Sequence, residues 1–163
     1  MLGSLLDRHW PKVVKEIHDA MDEQGVPAVA MEMVDYQLDS GGKRIRPMLS
    51  FLVGEVYEQD PDKLVPFVAA VELIHNASLV HDDLQDEDTT RRGAPTVWRK
   101  FSPAQAINLG DLIFALGVKL VNRLDVGSEL KHRLTQACLD CVREIVIGQM
   151  QEYHFKKAGD YTE

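Results

Sequence analysis

A chain of 163 residues, 45% hydrophobic and 27% charged, is long enough for one folded domain with a sizeable core. Its formal charge of -8 argues against a nucleic-acid binder. No charge-free apolar run of membrane-spanning length is evident and Met1 to Trp10 carries no signal-peptide pattern, so a cytoplasmic protein without a transmembrane segment is expected.

Met1 to Gln24 carries apolar residues at Leu5, Leu6, Trp10, Val13, Val14, Ile17 and Met21. That is the period of an amphipathic helix, broken by Gly25-Val26-Pro27. A second helix is predicted over Ala28 to Leu38, ending at Asp39-Ser40-Gly41-Gly42, where paired glycines supply left-handed backbone after a helix end. Lys43-Arg44-Ile45-Arg46-Pro47 then places three cations ahead of a helix over Met48 to Tyr57. Proline is tolerated in a first helical turn, so Pro47 marks the start and puts Lys43 and Arg46 around a helix N-terminus. Free N–H groups and the helix dipole favour an anion there, and a diphosphate fits. The spaced glycines and the following Ser or Thr of a nucleotide-binding loop are missing. Taken alone, the stretch reads more readily as a basic surface loop.

Glu58 to Lys63 reads as a turn, and Leu64 to about Asp86 as a central helix, apolar on nearly every side but for Glu72, His75, Asn76 and Ser78. It delivers an acidic cluster, His81-Asp82-Asp83-Leu84-Gln85-Asp86-Glu87-Asp88. On a helix Asp82 and Asp86 share a face with Asp83 beside them. Carboxylates this close repel, a cation relieves them, and a few carboxylates in an open site suit magnesium better than calcium. A solvated acidic helix end is the plain alternative. An EF-hand fits poorly, because Arg91 falls where glycine is required and Val97 where the final glutamate belongs. His75 lies two turns before Asp82 on a similar face, which raises it above an ordinary core histidine.

After Gly93, Ala94-Pro95-Thr96 makes a loop and Ser102-Pro103 opens another helix with serine as cap. Ala106 to Leu124 is apolar nearly throughout, with Gly110-Asp111 near one end, and a last helix over Ser128 to Tyr153 includes Gly148-Gln149. Cys138 and Cys141 continue the stripe Leu130, Leu134, Ile145 and are expected in the core; a lone CxxC without a preceding strand or a second ligand pair is neither a redox motif nor a zinc site. No alternating strand pattern and no internal repeat appear, so the fold class is all-α.

Two basic clusters, Lys43/Arg44/Arg46 and Arg91/Arg92, with one acidic cluster, make sense together if the ligand is a polyanion bridged to carboxylates by metal. An apolar helix wall beneath would suit a hydrocarbon tail. Gly41-Gly42-Lys43-Arg44-Ile45-Arg46-Pro47, Ile74-His75-Asn76-Ala77-Ser78-Leu79-Val80-His81-Asp82-Asp83, Asp86, and Arg91-Arg92-Gly93 with Pro95-Thr96 together resemble the trans-isoprenyl diphosphate synthases, or polyprenyl synthetases, in order and spacing. Gly110-Asp111 and Gly148-Gln149 are similar less distinctively.

The resemblance implies an antiparallel helical bundle of the isoprenoid synthase type around a deep cavity, apparently truncated. It implies a trans-prenyltransferase condensing isopentenyl diphosphate with an allylic prenyl diphosphate into a longer trans-prenyl diphosphate. Asp82, Asp83 and Asp86 would be the catalytic carboxylates, with Asp82 and Asp86 holding Mg2+ and Asp83 supporting them. Lys43, Arg46, His75 and Arg92 would bind isopentenyl diphosphate, and Arg91 the allylic diphosphate. Ala77 and Ser78 would form the chain-length floor, and their small size suggests a product longer than farnesyl. The family carries a second aspartate-rich motif in a C-terminal half that this sequence lacks. Residues 1–163 are therefore read as a single helical domain corresponding to the N-terminal half, inactive or impaired alone, and expected to form a homodimer or to need a complementing C-terminal half chain. The alternatives are a non-catalytic diphosphate-binding or regulatory subunit of a heteromeric synthase, and a class I terpene cyclase, which gives no reason for the Gly41 to Pro47 cluster.

Overall fold

A computed structural model describes residues 2–158. In chain order it contains α1 (Leu2–Glu23), α2 (Ala28–Asp39), α3 (Ile45–Val56), α4 (Pro61–Gln85), β1 (Thr90–Arg91), β2 (Ala94–Pro95), α5 (Val97–Lys100), α6 (Pro103–Val121) and α7 (Ser128–Ala158). The chain divides into two compact units, Met1–Asp125 and Val126–Glu163.

In the first unit α4 is central, and α1, α3 and α6 all pack on it. Its residues Val65, Val68, Ala69, Leu73, Ala77 and Val80 are buried, as expected of a helix apolar all round. The helix begins before the predicted Leu64. Asp60 caps it by accepting a hydrogen bond from the Asp62 backbone at 3.0 Å, and Pro61 takes the first helical position, so the turn ends early. Ser102 and Pro103 do the same for α6, the serine hydroxyl accepting from the Gln105 N–H at 3.2 Å. α1 buries Val13, Ile17 and Met21 along one face, the stripe its period predicts.

α4 and α6 run antiparallel, because His81 faces Gly110 at one level while Ile74 faces Gly117 seven residues further along. A Cβ at position 117 would stand 2.9 Å from Ile74 Cγ1 and 3.1 Å from the Ala70 carbonyl oxygen. Glycine at both levels lets the two helices approach closely. By length and composition both helices are apolar enough to cross a membrane, which the sequence reading did not allow for. Their packing on one another, and Glu72 buried in the middle of α4, fit core helices.

Two short elements depart from the expectation of loop alone. Thr90–Arg91 pairs antiparallel with Ala94–Pro95, Thr90 opposite Pro95 and Arg91 opposite Ala94, and the one-turn helix α5 follows. The hairpin turns on Arg92 and Gly93, both at positive φ (54° and 86°), as a two-residue hairpin loop of the primed type requires. Strands of two residues are too short for alternation to show.

In the second unit α7 runs beyond the predicted Tyr153 to Ala158. Cys138 is buried and Cys141 exposed, so the core expectation holds for one cysteine only; three residues on, Cys141 has turned past the buried stripe. Burial, and then the neighbouring Cys141, push the Cys138 thiol pKa up.

Candidate diphosphate and metal site

The site begins where α2 ends. Ser40 donates its hydroxyl to the Gln37 carbonyl at 2.7 Å, and the chain then leaves through Gly41 (φ +84°) and Gly42 (φ +128°). Arg44 follows at φ 46°, ψ 39°, a left-handed N-cap for α3. The predicted basic cluster here divides by function. Arg44 turns inward, with Nη1 2.6 Å from Glu72 Oε1, Nη2 donating to the Leu38 carbonyl and its guanidinium 4.3 Å over the Trp10 ring. The charge of this cation is matched within the fold. Lys43 and Arg46 line a pocket of about 680 Å3 together with His75 and Arg92, and Arg44 borders the same pocket. All four residues assigned to isopentenyl diphosphate thus meet in one concavity. Among the described residues none of Lys43, Arg46 and Arg92 has a carboxylate within ion-pair distance, whereas Arg44 and Arg91 each do.

Arg92 reaches the pocket from the hairpin. Its Nη1 donates to the Gly41 carbonyl, and its guanidinium carbon lies 2.7 Å from where a Cβ on residue 42 would stand. Glycine at 42 is therefore required for its backbone angle, and a larger residue would in addition displace the Arg92 guanidinium. The hairpin is braced from behind: the Asp88 carbonyl accepts from Thr96 Oγ1 at 2.7 Å and Trp98 Nε1 at 2.8 Å, and Tyr36 donates to the Pro95 carbonyl at 2.6 Å.

His75 Nε2 lies 3.0 Å from Arg46 Nη1. A guanidinium only donates, so Nε2 accepts and the ring is neutral. Burial first, then the Arg46 charge, push the His75 pKa down to about 4 against the opposing pull of Glu72, with Arg92 and Arg91 adding to the fall. In this arrangement His75 orients Arg46. The hydroxyl of Ser78 donates back to the His75 carbonyl at 2.8 Å, Ser78 is half-buried, and Ala77 lies in the packed interior.

The carboxylates gather where α4 ends. Asp82 is in the last turn and Asp86 is the C-cap, its N–H donating to the Asp82 carbonyl at 2.8 Å, so the two stand one turn apart. Asp83 is different. It is 1% exposed, and its Oδ1 accepts from Arg91 Nε at 2.6 Å and Arg91 Nη2 at 2.5 Å. Arg91 neutralises Asp83, the carboxylate expected to support the other two, and two of its nitrogens are committed to doing so. Asp83 Oδ2 is buried without a hydrogen-bond partner. The bond to Asp83 raises the Arg91 pKa against burial, with the charges of Asp83, Asp88 and Asp82 contributing. The charge of Arg91 thus interacts with Asp82 and also lowers the pKa of His75.

Among the described residues no three His, Cys, Asp or Glu side chains converge as a metal site. The donor set that remains is two carboxylates one turn apart, Asp82 and Asp86, and it fits a hard cation that keeps waters or phosphate oxygens as its other ligands. Two features escaped the sequence reading. Glu72 and Asn76 stood out as polar breaks in an apolar helix without being assigned, and the four-residue interval between them was the available signal. His81, whose Nε2 lies 3.6 Å from Asp111 Oδ1, links the acidic end of α4 to α6.

The polyprenyl synthetase family profile matches residues 27–163. The chain belongs to the polyprenyl synthetase family. Among curated polyprenyl synthetase relatives, a (2E,6E)-farnesyl diphosphate synthase of Mycobacterium bovis is 36% identical over 159 residues, covering 98% of this chain and 41% of that protein. A short chain isoprenyl diphosphate synthase of Methanocaldococcus jannaschii is 39% identical over 119 residues, 73% of this chain and 36% of that one. The solved structure of a geranylgeranyl pyrophosphate synthetase from Pyrococcus horikoshii superposes with a TM-score of 0.86 at 34% identity, covering 96% of this chain and 47% of that chain. This polyprenyl synthetase chain therefore spans about half the length of the relatives it matches, or less. The all-α isoprenoid synthase fold expected from the motifs is the fold these neighbours share.

Proposed function

We propose that the chain forms the N-terminal part of a trans-prenyltransferase that joins isopentenyl diphosphate to an allylic diphosphate, giving a longer trans-prenyl diphosphate. The observation that carries the reading is the meeting of Lys43, Arg46, His75 and Arg92 in one pocket. Lys43, Arg46 and Arg92 hold the diphosphate of isopentenyl diphosphate as charge-assisted donors, and neutral His75 keeps Arg46 aimed. Arg91, fixed by Asp83, presents positive charge toward the allylic diphosphate. Asp82 and Asp86 would hold Mg2+, which when bound supplies neutralisation of the charge on the departing diphosphate. The allylic cation so formed is attacked by the isopentenyl double bond, and proton loss restores an allylic product. Small residues at Ala77 and Ser78 support a product longer than farnesyl.

The reading further takes residues 1–163 as the single-domain N-terminal half of a cytoplasmic synthase, working as a homodimer or with a complementing C-terminal half chain. The alternative is a non-catalytic diphosphate-binding or regulatory subunit of a heteromeric synthase. An assay with labelled isopentenyl diphosphate, an allylic diphosphate and magnesium separates them, run on the chain alone and with the C-terminal half of a relative. The transferase reading expects elongated product with the added half. Diphosphate binding without product in either mixture would decide for the binding subunit.

A further inference from the structure

Along the wall of the pocket runs a line of largely buried polar side chains. Gln37 Nε2 donates to Asn76 Oδ1 at 3.1 Å, and Asn76 Nδ2 donates to the Glu72 carbonyl at 2.8 Å and to Glu72 Oε1 at 3.1 Å. Glu72 Oε1 in turn accepts from Arg44 Nη1 at 2.6 Å. Gln37, Glu72 and Asn76 are 4%, 2% and 1% exposed. The line joins α2, α4 and the N-cap of α3, and α1 closes it through Trp10 over Arg44.

A buried ion pair of this kind adds little net stability over an apolar pair, because desolvating both charges offsets their attraction. Breaking it is costly, so its effect is to fix a geometry. The geometry at stake is the backbone of Arg44, a non-glycine residue held left-handed, which persists only where the surroundings over-determine it. That turn lies between Lys43 and Arg46, and both of them line the pocket. Arg44, Glu72 and Asn76 line the pocket too, yet Arg44 and Glu72 match each other's charge, so Glu72 does not cancel Lys43 or Arg46.

We propose that Arg44, held in the wall of the pocket by Glu72, which Asn76 orients in turn, is a positioning residue that sets the turn carrying Lys43 and Arg46 into one anion site, its own guanidinium being committed to Glu72 and the Leu38 carbonyl and not to the diphosphate. The inference rests on the diphosphate-pocket reading. It is tested with inorganic pyrophosphate, titrated into the whole chain by calorimetry.

Glu72→Gln discriminates by sign. Removing a negative charge from beside a cationic pocket should tighten pyrophosphate binding if only the field matters. Positioning requires the opposite, and binding about tenfold weaker is expected, the lower end of what outer groups that orient ligands contribute elsewhere. Arg44→Lys keeps the charge but loses the fork that reaches both Glu72 and the Leu38 carbonyl, so it too should bind about tenfold more weakly. Should Glu72→Gln not fold, the lysine variant carries the test. Wild-type affinity, or tighter, in either folded variant overturns the positioning role while leaving the pocket. If the wild-type chain binds no pyrophosphate and Lys43→Ala changes nothing, the pocket reading falls first and takes this role with it.

Discussion

The ring of His81 fills the space that a Cβ on residue 110 would occupy, so Gly110 is where α6 comes up against the last turn before the carboxylates. Ile74 and Gly117 repeat the relationship lower on the same two helices.

Alanine at these two glycines should be unequal in cost. The His81 side chain is about one-third exposed and can swing aside, but at position 117 the new methyl meets the carbonyl of Ala70, which cannot. Gly117→Ala is expected to destabilise by about 1–3 kcal/mol, an overpacking cost, and Gly110→Ala by less. Urea unfolding of both variants checks the order; a larger loss at 110 would contradict this account of the α4/α6 contact.

Asp83→Asn should destabilise the chain by about 2 kcal/mol or more, because it leaves the Arg91 guanidinium partly buried without its counter-charge. Pairing it with Arg91→Gln should return much of the loss. A double-mutant cycle in chemical denaturation that shows no coupling would remove the ion pair as the brace of the hairpin.

Asp82→Ala and Asp86→Ala are expected to weaken magnesium-dependent diphosphate binding at least about tenfold while leaving the fold intact. Calorimetric titration with and without magnesium reads the difference. Unchanged affinity in both variants would rule the two residues out as the metal ligands.

His75 gives a pH signature. Its folded pKa of about 4 lies below the ordinary 6.5, so between those values the unfolded chain binds more protons than the folded one. Stability should rise with pH across that window and be lost as pH falls through it. The slope should flatten in His75→Gln, which keeps an acceptor for Arg46. Denaturation midpoints measured at pH 7 and pH 5 in both proteins test this; an equal drop in the two would place the acid sensitivity elsewhere.

The sequence by itself determined the helices and the chemistry at stake. Apolar period, Pro47 in a first turn, Ser102-Pro103 and the glycine pair at 41–42 are local signals, and local backbone physics reads them without knowing the fold. The charged motifs likewise carried the family, because their types and spacing survive translation into a linear string. Tertiary structure decided how those charges are divided. Arg44 and Arg46 lie two residues apart in one basic run and both border the pocket, yet only the first is matched by a carboxylate, Glu72, and stacked on Trp10; Asp82 and Asp83 are adjacent, yet only the second is buried on Arg91. Neither division is encoded locally, since it depends on which partner another helix or hairpin brings within a hydrogen bond's reach.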